Sequence, residues 1–331
     1  MIITRTPFRV SFFGGGTDYP GWFRDHGGLV LATTIDKYCY ITCRNLPPFF
    51  EHKHRIVYSR IENVQRIDQI EHPAVRAVLD WAKVGDGIEI HHDGDLPARS
   101  GLGSSSSFTV GLVHALSALR GKMASKHALA RDAIHIEQDL IGESVGSQDQ
   151  VSAAYGGFNR IAFRRDGSFD VAPLVLPPRR REQLRSHLML CFTGVSRIAS
   201  DVAKSKIDNL KNRQIELLRM AAMVDEAIAI LQDEDCPIAE FGRLLDASWR
   251  YKRMLSERVS SPGIDKLYEE AMQAGAIGGK ILGAGGGGFL LLFAPPERHA
   301  AIRERLGRLV HVPFDFEDSG SRVVLYQPNG L

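Results

Sequence analysis

The chain has 331 residues, 44% hydrophobic and 24% charged, a globular balance long enough for one large domain or two ordinary ones and unlike that of a disordered chain. Lys and Arg number 41 against 39 Asp and Glu, a formal charge of +2, too close to neutral for a protein that coats nucleic acid. The N-terminus MIITRTPFRVSFF has no basic segment leading into an apolar core, and no apolar run approaches the roughly 20 residues that span a bilayer, so a cytoplasmic protein acting on a small molecule is expected.

In chain order, residues 2–13, 29–43, 55–59 and 87–91 are rich in β-branched and aromatic residues, are broken by turn signals, and read as strands. Phe108, Leu112, Leu116 and Leu119 then recur at helical spacing, and a second helix is expected over about 126–141. Strands follow at 159–163 and about 170–176. The stretch LPPRRREQLRSH (176–187) is proline-rich, basic and aperiodic, and reads as a boundary between two domains. Beyond it come a strand (HLMLCFTG), a long helix at 208–232, helices near 241–255 and 264–274, and the glycine cluster GGKILGAGGGGFLLLFA. There is no internal repeat. Cys39, Cys43, Cys191 and Cys236 match no zinc spacing with histidine and read as reduced thiols.

The run LPARSGLGSSSSFTVGL (96–112) has the letters of a flexible linker, yet a strand enters it and an amphipathic helix leaves it. A strand–glycine loop–helix unit aims the unpaired N–H groups and dipole of the helix at whatever fills the loop, which suits a phosphate. Gly101 and Gly103 allow close backbone approach, and the serine hydroxyls can cap the helix, bond phosphate or ligate magnesium. The run lacks the lysine of the common GxxxxGK[ST] phosphate loop. On its own letters it leaves linker, cap and phosphate loop all open.

Two further stretches accompany it: TPFRVSFFGGGTDYPGWF near the N-terminus and GGKILGAGGGGFLLLF near the C-terminus. In order and spacing the three resemble the three motifs of the GHMP kinases, the family of galactokinase, homoserine kinase, mevalonate kinase and phosphomevalonate kinase. The resemblance covers about 5–293. Within the family, GGGTD in place of GEHTD, together with HHDGDLPARSGLGSSSS and SVGSQDQVSAAYGG, resembles the branch of bacterial D-glycero-D-manno-heptose 7-phosphate kinases. L-fucokinase-type domains share the GG-x-TD version.

The resemblance implies a role for each candidate residue. Asp149 falls where the sugar and mevalonate kinases carry a catalytic aspartate that accepts the proton of the attacking hydroxyl; a loop aspartate capping a helix is the other reading, and homoserine kinases work without such a base. Arg9 matches the first-motif arginine that stands beside that aspartate in the galactokinase branch and stabilises charge on the transferring group. Gly101, Leu102, Gly103, Ser104, Ser105 and Ser106 would hold the ATP phosphates. Glu137, twelve positions before Asp149, would hold Mg²⁺ with Ser105, although the register within the serine run is loose by one. Gly15, Gly16, Thr17 and Asp18 would meet the sugar, as would Gly285 and Gly286 of the third motif, while a second phosphate calls for Arg or Lys. Arg197 and Lys280, adjoining a strand end and a glycine loop, stand out among candidates that include Lys204, Lys206 and Lys252.

The implied fold is α+β in two lobes: a ribosomal-protein-like N-terminal domain (1–180) that binds ATP, and a ferredoxin-like C-terminal domain (181–331). The implied reaction is ATP- and Mg²⁺-dependent phosphorylation of the anomeric C1 hydroxyl of D-glycero-D-manno-heptose 7-phosphate to the 1,7-bisphosphate, for nucleotide-activated heptose and surface polysaccharide. The alternatives are a kinase of a free hexose such as L-fucose or galactose, and a non-catalytic sugar-sensing relative. The expected partners are the sugar phosphate and ATP, with neither nucleic acid nor membrane; a homodimer stays open.

Overall fold

A computed structural model of the chain describes residues 1–85, 87–98, 100–194 and 199–328. Its first layer is a 9-stranded, mainly antiparallel sheet built around the strand Ile2–Phe13 and the 18-residue strand Gly28–Asn45. These two pair along almost their whole length, from Ile2 opposite Cys43 to Phe13 opposite Leu31. The register shifts between Pro7 and Phe8, where proline has no N–H to give the ladder, so a bulge stands two residues before Arg9. Every residue from Thr6 to Phe13 is buried, because the helix Ser104–Leu119 packs on the strand and the helices Gln214–Gln232 and Ala239–Met254 also reach it.

The second layer is a 4-stranded antiparallel sheet with Val310–Val312, Leu188–Phe192, Phe289–Phe293 and Gly278–Ile281 side by side. Taken in chain order these strands sit fourth, first, third, second, with helices before and after the central hairpin, which is the ferredoxin-like arrangement expected. Phe289–Phe293 is an unbroken apolar run, fully buried, as a strand covered on both faces requires. Apolar residues of both layers belong to one cluster, and Phe241 packs at its centre. Its ring lies 5.5 Å from Phe12, 5.2 Å from Phe13 and 5.9 Å from Phe293, edge-on to the first two.

Two expectations need correction, and the stretch expected as a boundary, 176–187, contains the helix Pro178–Ser186. Proline at the first helical position starts it, and only Arg180 and Leu184 are buried, too few to make a periodic pattern. The long helix at 208–232 is two, Ala199–Asn209 and Gln214–Gln232, separated by a 3₁₀ turn at Leu210–Asn212. Nor is 181–331 confined to the second layer. Phe316–Glu317 pairs with the long strand and Arg322–Tyr326 with Ile2–Arg5, so the chain closes back on the first sheet. The helix at 126–141 forms as expected to His135 and then widens into a π turn, Ile136–Leu140. No helix of the described residues is long and apolar enough to cross a membrane.

Phe241→Ala should lower the stability of the whole chain by about 3–5 kcal/mol, since it empties the junction of the two layers. Chemical denaturation followed by fluorescence and by far-UV circular dichroism checks this. Separate transitions already present in the wild type would show that the layers do not share a core.

Candidate active site

A cleft of about 280 Å³ opens where the two layers meet. The end of the first strand, the Gly14–Tyr19 turn, the glycine–serine run, the loop before Asp149 and three lysines of the C-terminal half all border it.

The glycine–serine run is a loop held from outside. Gly101 has φ +87° and Gly103 φ +75°, conformations that favour glycine. Gly283 of the third glycine motif packs on it so closely that a Cβ there would lie 2.6 Å from the Gly101 Cα. The helix Ser104–Leu119 starts at once, and Gly103 at its N-cap supplies no side-chain cap, an arrangement that suits an anion at the helix start. This helix start settles the serine register geometrically. Ser106 and Ser107 turn inward, Ser107 Oγ donating to the Pro7 carbonyl at 2.9 Å, while Ser105 is exposed at the cleft. Ser106, not Ser105, therefore donates to Glu137 Oε2, at 2.8 Å.

Arg9 carries the catalytic candidates' geometry. Its Nε and Nη2 donate to the two oxygens of Asp149, each at 2.8 Å, and its Nη1 donates to the Gly101 carbonyl at 2.6 Å. Arg9 is buried, whereas Asp149 keeps 26% of its side chain open to the cleft. Each carboxylate oxygen has further lone pairs, so Asp149 retains acceptor capacity toward the cleft. Asp149 sits in the first turn of the helix Gln148–Tyr155.

Asp18 is buried beside this pair. It accepts from the backbone N–H of Gly16 at 2.9 Å and of Gln148 at 3.3 Å. Burial raises its carboxyl above the usual range, with the Asp149 charge adding to the rise and these hydrogen bonds opposing it. Gly146 makes room for it, since a Cβ there would lie 1.9 Å from Asp18 Oδ2. Gly15 and Gly16 border the cleft as expected. Thr17 does not: its hydroxyl bonds the Gly14 and Leu29 carbonyls and is fully buried. Leu102 is likewise a core residue, whose carbonyl accepts from the Arg9 N–H. Gly285 and Gly286 pack on Val259, the Gly286 N–H donating to its carbonyl at 2.8 Å, and it is Gly283 and Ala284 that face the cleft. Arg197 lies outside the described residues.

Three buried lysines complete the wall. Lys280 Nζ donates to the Phe12 carbonyl at 2.8 Å, and Lys252 Nζ to those of Ile281 and Gly283, each at 2.7 Å. Lys206 lies 5.4 Å from the centre of the Tyr19 ring. Burial lowers all three, Lys206 to about 8 and Lys280 to about 7. Glu137, inside the π turn, goes the other way. Burial raises it to about 7, against hydrogen bonds from Ser106 and Gln150, and its Oε1 has no partner among the described residues.

The chain matches the family model for the GHMP kinase N-terminal domain over residues 69–157 and that for the C-terminal domain over 237–311. It is 31% identical to the D-glycero-alpha-D-manno-heptose 7-phosphate kinase of Campylobacter jejuni, with 96% of this chain and 97% of that protein aligned. The chain belongs to the GHMP kinases. It is 29% identical over 93% of its length to the bifunctional fucokinase/GDP-fucose pyrophosphorylase of Arabidopsis thaliana, covering 31% of that longer protein. Among solved structures it shares its fold with a D-glycero-D-manno-heptose 1-phosphate kinase from Bacteroides thetaiotaomicron. The TM-score is 0.79 at 24% identity, over 98% of each chain.

As a GHMP kinase the protein is a phosphotransferase with an alcohol acceptor. Among the cleft residues that sequence reading missed, two stand beside Asp18. Gly146 and Gln148 precede the catalytic candidate in GSQDQ, but nothing in their own letters says that one clears space for Asp18 and the other binds it.

Glu137 gives this kinase a testable pH signature. Its unfolded form loses its proton near the ordinary 4.5 and its folded form near 7, so the folded state binds more protons in between, and stability falls as pH rises through that window. Lys206 and Lys280 act oppositely above about 7, where the unfolded chain binds more protons and stability climbs toward the ordinary lysine value of 10.5. Denaturation midpoints between pH 5 and 7 should fall in the wild type and fall less in Glu137→Gln. Equal slopes in both proteins would remove Glu137 as the cause.

Proposed function

We propose that the protein transfers the γ-phosphoryl group of ATP to the anomeric C1 hydroxyl of D-glycero-D-manno-heptose 7-phosphate, giving the 1,7-bisphosphate for nucleotide-activated heptose synthesis. The observation that carries this reading is the Arg9–Asp149 fork beside a helix start that has no side-chain cap from its glycine N-cap. The sugar itself is suggested by the name of the relative that is 31% identical along nearly the full length of both chains.

The first-turn N–H groups after Gly103 hold the ATP phosphates, and Asp18 holds sugar hydroxyls with the Gly15–Gly16 backbone beside it. Asp149 accepts the proton of the C1 hydroxyl as its oxygen bonds to phosphorus and the bond to the ADP oxygen breaks. Arg9 keeps Asp149 aimed and stabilises negative charge on the transferring group. The pair Ser106 and Glu137 fits a magnesium ion. Both are oxygen donors, Glu137 Oε1 is buried without a partner, and magnesium takes few protein ligands and completes its shell with phosphates and water. No group of three or more His, Cys, Asp or Glu side chains forms a metal site among the described residues, so this pair is the donor set to test. Magnesium there would neutralise charge shared between the phosphates.

ADP release measured with heptose 7-phosphate, unphosphorylated heptose, L-fucose and galactose tests the reading. Turnover should be fastest with heptose 7-phosphate. Preference for a free hexose would favour the fucokinase-like reading that the Arabidopsis relative suggests, and no turnover of any sugar would leave a non-catalytic sugar binder. Asp149→Asn should lower kcat by roughly 10²–10⁴ with the acceptor KM little changed. An unaltered kcat would remove Asp149 as the base.

A further inference from the structure

Lys206 differs from the other two lysines of the cleft. It is 4% exposed, borders the cleft, and makes no hydrogen bond among the described residues. Lys252 and Lys280 both hold main-chain carbonyls and serve as struts between segments. The ammonium stands in the cleft wall, where it keeps less water than a surface lysine, and the Tyr19 ring face makes up only part of that loss.

The side chain is held in this position. Its helix, Ala199–Asn209, is tied down by the Ser205–Ser256 hydroxyl pair at 2.7 Å and by Asn209 Nδ2 donating to the Leu255 carbonyl at 2.9 Å. Ala203 and Leu210 pack with Tyr19, Trp22 and Leu217. Ala203, one turn before Lys206, borders the cleft as well, while Lys204 points to solvent, so one face of this helix forms the wall.

Its electrostatic neighbours place it on the acceptor side. Burial lowers Lys206, and the charge that opposes the fall most is Asp18, ahead of Asp149. For Lys280, after burial, the foremost charge is Arg9, next to the phosphate loop. The cleft wall carries four basic side chains, Arg9, Lys206, Lys252 and Lys280, and three acidic ones, Asp18, Glu143 and Asp149. Arg9 is matched by Asp149 in a bidentate pair. Lys252 and Lys280 are taken up by main-chain carbonyls, so Lys206, the lysine nearest Asp18 in its electrostatics, is the one of the four cations with no hydrogen-bond partner among the described residues.

We infer that Lys206 recognises an anionic group carried by the acceptor, a phosphate ester remote from the reacting hydroxyl, and thereby sets the preference for phosphorylated over free sugars. This rests on the kinase reading above and names the residue behind its substrate class. The ester oxygens supply the missing acceptors for Nζ, and a free sugar leaves it unpaired. Lys206 thus acts in binding and not in the transfer step.

Steady-state kinetics of wild type, Lys206→Gln and Lys206→Arg with heptose 7-phosphate and with unphosphorylated heptose test the inference, with thermal melts confirming folding. In Lys206→Gln the KM for heptose 7-phosphate should rise about 10–100-fold at nearly unchanged kcat, the scale of one hydrogen bond to a charged group. The KM for free heptose should stay the same, and Lys206→Arg should recover most of the loss. A fall in kcat shared by both acceptors would overturn the inference, as it would assign Lys206 to the transferring phosphoryl group. A binding arm separates this outcome from failure of the heptose assignment. In calorimetric titrations, mannose 6-phosphate should bind wild type more tightly than mannose, and Lys206→Gln should erase the difference. Wild type that turns over no heptose but shows this difference would cost only the heptose reading. An equal preference in both proteins would overturn the role of Lys206.

Discussion

The fork from Arg9 to Asp149, with its third bond to the Gly101 carbonyl, is the contact on which the rest of the site depends. One guanidinium joins the first strand, the glycine–serine loop and the helix Gln148–Tyr155. These segments are far apart in sequence and meet only through the fold. A planar donor fork sets direction as well as distance, which a lysine at the same place would not do. Because Arg9 is buried, releasing it would leave both the carboxylate and the Gly101 carbonyl without a strong donor. The bulge after Pro7 lies just ahead of it, and the Arg9 backbone N–H also bonds the Leu102 carbonyl, so main chain and side chain grip the same loop.

The second layer braces this arrangement. Gly283 presses on Gly101 at a distance that admits no side chain. Lys252 reaches two carbonyls at that glycine loop, and Lys280 crosses from the second sheet to the Phe12 carbonyl of the first. These bonds run beside the shared apolar junction around Phe241. The glycines of the third motif therefore act by proximity: they let one loop lie against another, and of the segment 282–288 the described lining of the cleft takes Gly283 and Ala284.

Much of this was legible in the sequence, and the failures are physical ones. The strand Ile2–Phe13, the helix after the serine run and the buried Phe289–Phe293 strand follow from local apolar patterns that packing reinforces. The helix Pro178–Ser186 was hidden because it buries so little, and the break at Leu210–Asn212 because the apolar spacing runs on through it. In the site, residue identities were readable from motifs, but their directions were not. Four equal serines carry no sign of which one faces Glu137; the helix start at Ser104 decides for Ser106. Gly285 and Gly286 look like cleft residues until Val259, distant in sequence, is found packed on them. Contacts of this kind arise only when remote segments meet.

The electrostatics of the cleft follow from the same packing. Building a dry, two-layered site buries Glu137, Asp18 and three lysines together, and burial disfavours the charged form of each. Carboxyls rise and ammonium groups fall, so near neutral pH the empty cleft holds groups that gain charge readily once an opposite charge arrives. Bound phosphates would raise the proton affinity of the lysines, and a divalent cation would lower that of Glu137, so that each would make the site more complementary to the other. Such a cleft favours the loaded state over the empty one because its charges were buried in advance by the layers that form it.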